Sequence, residues 1–221
     1  MQRALVIGSS GGIGAAMVRA LSARGTAVDT LSRRDDGLDV TEPSSVTRLM
    51  GALDGPYELI FVATGQLSGA GRRPEKSIAE VSAEAIEAQV RINAIGPMIV
   101  LQQALRLVAK DSPSIFAALS ARVGSIGDNR LGGWHSYRAS KAALNMLIHG
   151  AALELRRTHP QACAVCLHPG TVATPFTAAY AKSHRTVPPD TAAANLLQVL
   201  DGLTPAQSGR FFDSTGAEIP W

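Results

Sequence analysis

The chain has 221 residues, of which 46% are hydrophobic and 18% charged, and its formal net charge is +3. This balance is typical of one folded globular domain and excludes a disordered or fibrous chain. The positive excess is small and contains no basic run longer than two residues, so it does not indicate nucleic-acid binding. No apolar stretch approaches the roughly 18 residues of a membrane span.

Short apolar runs alternate with longer segments of helical pattern along the whole chain. Strands are predicted at 4–7, 26–31, 37–40, 57–63, 114–119, 162–167 and 209–213. Helices are predicted at 12–24, 43–53, 83–110, 136–158 and 189–200, with the third of these eased at Gly96-Pro97. Because the strands lack polar alternation, they predict a mainly parallel sheet buried on both faces. The sequence therefore predicts a single domain over 1–221 with a doubly wound, Rossmann-type α/β fold of about seven strands.

Two cysteines, Cys163 and Cys166, lie inside the apolar run 162–167. On a strand, this spacing points their side chains to opposite faces, which favours neither a disulfide nor a shared metal ion. No signal peptide fits the first residues, MQRALVIGSS. We therefore expect two buried, reduced thiols, no metal site and a cytoplasmic location.

The first predicted strand runs directly into a glycine-rich turn, which a helix follows. Strand, turn and helix in this order form a phosphate-binding unit, because glycine lets the backbone N–H groups approach a pyrophosphate at the helix N-terminus. A glycine turn also serves as a plain loop, but the order of the elements favours nucleotide binding. The residues expected to contact the cofactor here are Gly8, Ser10, Gly12, Ile13 and Gly14.

Ser32 and Arg33 stand where the second predicted strand ends. An acidic residue at this point would bind the ribose 2′-hydroxyl of NAD, and Asp29 lies too early in the strand for that role. A guanidinium suits the 2′-phosphate of NADP. The alternative is that Arg33 and Arg34 are surface residues paired with the two aspartates that follow them. The pattern favours NADP(H) and leaves NAD(H) open.

Two motifs carry a resemblance to a known family. The glycine spacing GxxxGxG begins at Gly8, and Tyr137-Arg-Ala-Ser-Lys141 opens a later helix. Tyr and Lys four residues apart share one helical face, where the ammonium favours the phenolate and lowers the pKa of the phenol. Such a tyrosine exchanges a proton with the oxygen of a carbonyl or alcohol. Over essentially its whole length the chain resembles the short-chain dehydrogenase/reductase family, close to its C-factor-like and carbonyl-reductase-like members.

The resemblance implies the remaining site residues. Asn93 would position a water molecule for a proton relay to Lys141, and Ser120 would polarise the substrate oxygen. Ser125 is the alternative serine, because it lies nearer the family's usual spacing from Tyr137. Further cofactor contacts are implied for Asp39, Val40, Ala63, Gly65, Tyr137, Lys141, Pro169, Gly170, Val172 and Thr174, and residues 174–188 would form a lid over the substrate.

The chain departs from the family pattern at two positions. Ile7 stands where the family usually has Thr before the first glycine, and Thr64 lies in Val-Ala-Thr-Gly where the family usually has Asn-Asn-Ala-Gly. The lost Asn side chains usually brace the sheet, so local stability or cofactor affinity is expected to differ. The chemistry is expected to survive.

The combined prediction is an NADP(H)-dependent oxidoreductase that reduces a carbonyl or oxidises a secondary alcohol, with Tyr137 as general acid/base. The sequence does not name the small-molecule substrate. Trp134 and His135 either line the substrate pocket or pack on the core. A homodimer or homotetramer through the helices at 83–110 and 136–158 is implied by the family, and the Ala-rich faces of these helices allow close packing.

Two rival functions stay open at this point. One is a nucleotide-binding regulatory or signalling protein that keeps the fold and has little or no turnover, although a pure binder has no need of Tyr137. The other is a sugar-nucleotide epimerase or dehydratase, which usually has a longer chain with a C-terminal substrate domain.

Overall fold

Six parallel strands form the centre of the molecule in a computed structural model that describes residues 1–68, 73–178 and 186–221. The strands are β1 (Arg3–Ile7), β2 (Ala27–Leu31), β3 (Leu59–Val62), β4 (Ser114–Leu119), β5 (Ala162–His168) and β6 (Phe211–Asp213). The helices are α1 (Gly12–Ala23), α2 (Arg33–Asp36), α3 (Pro43–Gly51), α4 (Ala83–Val90), α5 (Gly96–Ala104), α6 (His135–Thr158) and α7 (Pro189–Asp201). The predicted α/β fold with a parallel sheet is confirmed.

The strand order is β2-β1-β3-β4-β5-β6, and every neighbouring pair is parallel. The chain winds outward from β1 to β2 and then crosses back to add β3 on the other side. Crossovers that leave a sheet in opposite directions open a crevice at the carboxyl ends of the two central strands. The fold therefore places its natural ligand crevice beyond the ends of β1 and β3.

Alternate residues of the strands pack into two separate apolar layers, one on each face of the sheet. Ile7 and Ile60 belong to the layer that α3, α5 and α6 cover, whereas Val6 and Phe61 belong to the layer that α1 and α7 cover. Cys166 lies in the first layer and Cys163 in the second, and both thiols are free and buried. Burial raises the pKa of each thiol to about 12, so both are neutral. The prediction of opposed, reduced cysteines is confirmed.

The segment 37–40 is not a strand, so the sheet has six strands where about seven were predicted. Leu38 and Val40 are buried as the alternating pattern suggests. The backbone, however, is used by a turn: the amide of Leu38 donates to the carbonyl of Ser32, and Gly37 is left-handed with φ 71°. The short helix α2 also occupies a stretch for which no helix was expected.

The helix predicted over 83–110 is two helices joined by a π turn at residues Arg91–Ile95, and the second helix ends at Ala104. At the junction the amide of Gly96 donates to the carbonyl of Arg91, five residues earlier. Pro97 has no N–H group, so it cannot continue the regular i→i−4 ladder, and the wider turn takes over. The irregularity expected in this helix at Gly96-Pro97 is thus a π turn that directly precedes these two residues.

Two further features bear on the earlier predictions. Within the described ranges, no helix is both long and apolar enough to cross a bilayer. The predicted lid at 174–188 lies partly outside the described residues, because 179–185 are not among them.

We expect Gly96→Ala to destabilise the protein by about 1–3 kcal/mol, because overpacking strains a filled core. A Cβ atom at this position would lie 2.9 Å from Cγ2 of Val40 and 3.0 Å from its carbonyl oxygen. The matched control is Gly51→Ala at the end of α3, where a Cβ would have no atom within 4 Å. That variant should be neutral or more stable by up to about 1 kcal/mol, because alanine is the better helix former. Urea unfolding measures both; equal effects would contradict the packing argument.

Candidate active site

The glycine turn at the end of β1 is built as a cradle for an anion. Gly8 has φ 85°, and its amide donates to the carbonyl of Leu31 at 2.7 Å. A Cβ on Gly14 would lie 2.1 Å from the carbonyl oxygen of Gly8, so no side chain fits between turn and helix. Helix α1 has no side-chain cap at Gly11, which leaves its first N–H groups for a ligand. Half-buried Ser10 and Ile13 flank this turn.

Two arginines lie where β2 ends, and they differ in their contacts with the described residues. Ser32 caps α2 by accepting a hydrogen bond from the amide of Asp35 at 3.0 Å. Arg34 pairs with Asp35 at 2.9 Å, as the alternative interpretation expected. Arg33 is exposed and forms no ion pair within the part of the chain that the structure describes. A guanidinium therefore stands ready for an anionic ligand at this strand end.

Asp39 and Val40 follow this strand end and close the crevice beside β1. The Asp39 Oδ1 atom accepts hydrogen bonds from the amide and the hydroxyl of Thr41 at 2.9 and 2.7 Å. These bonds, with a smaller contribution from the Arg33 charge, lower the pKa of Asp39. An ionised carboxylate thus lies near Arg33, while Val40 is buried against Gly96.

The end of β3 approaches both Asn93 and Lys141. The amide of Ala63 donates to the carbonyl of Ile7 at 2.7 Å, which extends the pairing of β1 and β3 by one residue. A Cβ on Gly65 would lie 3.1 Å from Asn93 Oδ1 and 3.6 Å from Lys141 Nζ. The hydroxyl of Thr64, where the family usually has Asn, is buried and has no hydrogen bond to the described residues.

Asn93 lies in the π turn and is fully buried. Its Oδ1 accepts from the amide of Gln66 and its Nδ2 donates to the carbonyl of Gln66, each at 2.8 Å. The same Nδ2 donates to the hydroxyl of Ser140 on α6 at 3.1 Å. Asn93 thus binds the loop after β3 to the helix that carries Tyr137 and Lys141.

Tyr137 and Lys141 lie one turn apart on the buried face of α6, with 6% and 3% of their surface exposed. Lys141 Nζ lies 5.9 Å from the centroid of the Tyr137 ring and donates to the carbonyl of Leu119, the last residue of β4, at 2.8 Å. Burial lowers the pKa of Lys141 to about 8. Burial raises the pKa of Tyr137, the opposite of the effect expected from the ammonium, so the phenol is protonated at neutral pH.

Neither candidate serine donates to Tyr137. Ser120 follows β4 directly, and its hydroxyl donates to Asn145 Oδ1 on α6 at 2.7 Å. The hydroxyl of Ser125 donates to the carbonyl of Pro220 and accepts from the amide of Asp128 at 3.0 Å. Ser120 therefore lies at the carboxyl edge of the sheet beside α6, whereas Ser125 holds the C-terminal segment.

The loop after β5 closes over the glycine turn. Pro169 leads into Gly170, whose φ is 78°, and Val172 is buried and bridges Val187. A Cβ on Gly12 would lie 2.5 Å from Cγ2 of Thr174, so this loop and the phosphate cradle touch. The residues expected at the pyrophosphate and the residues of the loop after β5 thus meet at one edge of the sheet.

Glu75, which no sequence pattern indicated, reaches the start of α6 from the loop after β3. Glu75 is only 5% exposed, and its carboxylate accepts hydrogen bonds from the amide and the hydroxyl of Ser136. Burial acts to raise the pKa of Glu75, but the hydrogen bonds from Ser136, a bond to its own backbone amide and the charge of His135 together outweigh burial, and the pKa is lowered. A single acidic residue in an irregular loop belongs to no periodic pattern, so only the fold reveals this contact.

Trp134 and Phe176 flank Tyr137. The Trp134 ring lies edge-on to the phenol with centroids 6.2 Å apart, and the Phe176 ring is tilted against it at 6.4 Å. The Trp134 ring contacts buried Tyr137, which is compatible with both interpretations of Trp134.

The model of the family described as short chain dehydrogenase matches residues 2–185 of the chain. The protein belongs to the short-chain dehydrogenase family. It is therefore an oxidoreductase, and the predicted resemblance and enzyme class are confirmed.

Relatives and solved structures agree with this assignment. The chain is 32% identical, over the whole length of both proteins, to the 1-hydroxy-2-glutathionyl-2-methyl-3-butene dehydrogenase of Rhodococcus sp.. It is 40% identical to the C-signal of Myxococcus xanthus over 59% of this chain and 75% of that protein. A Burkholderia multivorans short-chain dehydrogenase/reductase with bound NADP is 25% identical, with a TM-score of 0.81 over 100% of this chain and 99% of that one. Carbonyl reductase Sniffer of D. melanogaster shares the fold, with a TM-score of 0.84, 20% identity and full coverage of both chains.

We expect Glu75→Gln to destabilise the protein by about 1–2 kcal/mol at neutral pH, because it removes the charge that caps the positive end of α6. The folded-state pKa of Glu75 is lowered, so this stabilisation exists above the usual glutamate range and is lost as the pH falls through the folded-state pKa. The difference from the wild type should therefore shrink in acid.

Glu80→Gln is the control for this prediction, because exposed Glu80 also accepts a backbone hydrogen bond, from the amide of Lys76 at 2.8 Å. Its effect should stay within about 0.5 kcal/mol. Urea unfolding of both variants at neutral and acid pH gives the comparison, and equal losses would argue against a capping role for Glu75.

Proposed function

We propose that this member of the family is an NADPH-dependent carbonyl reductase, which in reverse oxidises a secondary alcohol. The observation that carries the proposal is the pairing of buried Tyr137 and Lys141 on one face of α6, at the carboxyl edge of the sheet and beside the glycine cradle. A protonated phenol, a buried ammonium and an anion cradle at one edge suit proton exchange next to a dinucleotide.

The chain's own residues fit such a dinucleotide. The uncapped first turn of α1 and the close approach of Gly8 and Gly14 leave a cradle lined largely by backbone, with the Thr174 side chain against Gly12. Bound there, NADPH would supply the hydride that adds to the carbonyl carbon of the substrate. The NADP-bound Burkholderia multivorans relative supports this choice of cofactor.

Tyr137 is the proton donor in this proposal. Reduction of a ketone or aldehyde adds a hydride to carbon and a proton to oxygen, so the alkoxide that forms must receive a proton. The raised pKa of Tyr137 keeps the phenol protonated at neutral pH, which is the form that reduction needs. In alcohol oxidation the same oxygen takes the proton back.

Lys141 and Asn93 assist Tyr137 in this proposal, the first through its charge and the second through a water molecule. With a pKa near 8, the Lys141 ammonium is charged at neutral pH and favours the phenolate left after proton donation. One of its three N–H donors is used by Leu119, and the others are available to the nicotinamide ribose and to water. Asn93, held by Gln66, positions such a water molecule next to Lys141.

Ser120 is proposed to polarise the substrate oxygen, with Ser125 as the weaker alternative. Ser120 lies at the end of β4 beside Lys141's partner Leu119, while the hydroxyl of Ser125 is bonded to the C-terminal segment. For Ser120 to donate to a substrate, its hydroxyl turns away from Asn145.

The preference for the phosphorylated cofactor rests on Arg33. This exposed guanidinium follows the capping residue Ser32, whereas its neighbour Arg34 is paired with Asp35. A free planar fork of donors recognises a phosphate monoester better than two hydroxyl groups. NAD(H) remains the weaker cofactor in this proposal, and Asp39 and Val40 are assigned to the adenine side of the crevice.

A second candidate is a nucleotide-binding signalling protein with little or no turnover. The 40% identity to the C-signal of Myxococcus xanthus is the observation that favours it. The assembly into homodimers or homotetramers through α4, α5 and α6, and a cytoplasmic location for a chain with two reduced cysteines, are proposals that go equally well with either function.

We expect Tyr137→Phe to lower kcat/KM for carbonyl reduction by about 10²- to 10⁴-fold, because the ring is kept and only the proton donor is lost. NADPH oxidation is followed by absorbance across aldehydes, ketones and quinones, and the NADPH Kd by fluorescence. Tyr57→Phe is the control, because the Tyr57 hydroxyl donates to Asp29 at the opposite edge of the sheet. Normal NADPH binding without turnover by the wild type on any substrate would instead favour the signalling protein.

We expect Arg33→Asp to raise the Kd for NADPH by about 10- to 100-fold while leaving the Kd for NADH nearly unchanged, because only NADPH presents a 2′-phosphate. Arg34→Asp makes the same change in charge one residue later, at a side chain already paired with Asp35. It should affect NADPH far less. Equal weakening of both cofactors by Arg33→Asp would exclude the phosphate contact.

A further inference from the structure

Trp134 is held in a backbone conformation that large side chains rarely adopt. Its φ and ψ are 51° and 38°, in the left-handed region, and Gly132 and Gly133 before it also have positive φ. For a non-glycine residue this conformation costs roughly 1–2 kcal/mol. Strain of this kind persists only where the surroundings impose it, and it is concentrated at functional sites.

Glu75 imposes the conformation. The amide of Trp134 donates to the Glu75 carbonyl at 2.6 Å, and two residues later Ser136 donates to the Glu75 carboxylate. The chain is therefore fixed on both sides of Trp134 at the point where α6 begins. As a result, the indole meets the Tyr137 phenol edge-on, at an interplanar angle of 66°.

Phe176 approaches the same phenol from the loop after β5. The turn that carries it is fixed by the amide of Thr177, which donates to the carbonyl of Thr174 at 3.0 Å, and by the Thr177 hydroxyl, which donates to Val172. The Phe176 ring is 41% exposed, although it contacts Tyr137. A large apolar ring thus keeps an open surface next to the proposed proton donor.

Both aromatic rings lie next to the phenol that would protonate the substrate. A carbonyl oxygen that accepts the proton lies about 2.6–3.2 Å from the phenol oxygen. The Trp134 and Phe176 centroids lie 6.2 and 6.4 Å from the Tyr137 centroid. Both rings therefore contact the ring that carries the proposed proton donor, and aromatic groups favour edge-to-face contact at such distances.

We propose that Trp134 and Phe176 form an aromatic pair that selects carbonyl compounds with a flat aromatic ring beside the carbonyl group. The proposal rests on the proposed reductase function and names its substrate class. Glu75 is the positioning residue that keeps Trp134 in this pair.

The test compares phenylacetone with cyclohexylacetone, whose carbonyls are insulated from the ring by a methylene group and so have similar reactivity. The ratio of their kcat/KM values with NADPH is measured for the wild type, Trp134→Leu, Phe176→Leu and the double variant. Kd values of both ketones for the NADP⁺ complex, measured by calorimetry, give the same ratio without turnover. Trp221→Leu is the control: Trp221 is also 41% exposed, but it stacks on Phe211 and contacts His149, three turns along α6 from Tyr137.

We expect the wild type to favour phenylacetone by about fivefold or more, each single variant to lower the ratio by about two- to tenfold, and the double variant to bring it near one. Trp221→Leu should leave the ratio unchanged. If Trp134→Leu does not fold, exposed Phe176 still decides the matter, and Trp134→Phe should keep most of the preference.

A wild-type ratio near one, or a ratio that neither single variant changes, would overturn the aromatic pair and leave the reductase function standing. Absence of turnover on either ketone and on all other carbonyls tested would count against the reductase function itself. In that case the Kd ratios decide the aromatic pair alone: a preference for the aryl ketone that Phe176→Leu abolishes supports it, and equal Kd values refute it.

Discussion

A buried ammonium group ties the longest helix of the molecule to the end of a central strand. Lys141 gives up its hydration inside the protein, and the Leu119 carbonyl at the end of β4 is the partner that fixes its position. A charge taken out of water is costly, which the lowered pKa of Lys141 records. The same burial keeps Tyr137 protonated one turn earlier. One hydrogen bond therefore joins the sheet edge to the helix, and burial at the same place sets the protonation states of Lys141 and Tyr137.

The fold was predictable from the sequence because its causes are local and repeated. Apolar runs without polar alternation, such as 162–167, form strands buried on both faces, and glycines at fixed intervals after β1 form the cradle. The segment 37–40 differs, because its burial and its backbone pairing have separate causes. Its alternating Leu38 and Val40 are buried as in a strand. The amide of Leu38, however, donates to the carbonyl of Ser32 in a turn and does not pair with a neighbouring strand. Hydropathy reports burial and leaves the backbone pairing open.

The site residues that belong to a motif were predictable from the sequence. Those that come from irregular loops were not. Tyr137, Lys141, Asn93 and Gly65 are brought together as expected, because each follows or faces a strand end. Glu75 and Phe176 come from irregular loops, whose positions depend on tertiary contacts with α6. The hydroxyl of Ser120 shows a third case: its place at the end of β4 follows from the sequence, but its present partner, Asn145, lies 25 residues away on a helix.

The π turn at residues 91–95 constrains how the length of this chain can change during evolution. Such a turn amounts to one residue inserted into a regular helix, and one residue rotates everything that follows by about 100°. With the insertion, Asn93 faces the site while Val100 and Leu101, further along, face the core. Deleting a single residue here would restore ideal helical geometry and at the same time turn one of these two faces away from its partner. The π turn thus sets the rotation of α5 relative to α4. Insertions or deletions in homologues are therefore expected in the loops on either side of this helix pair.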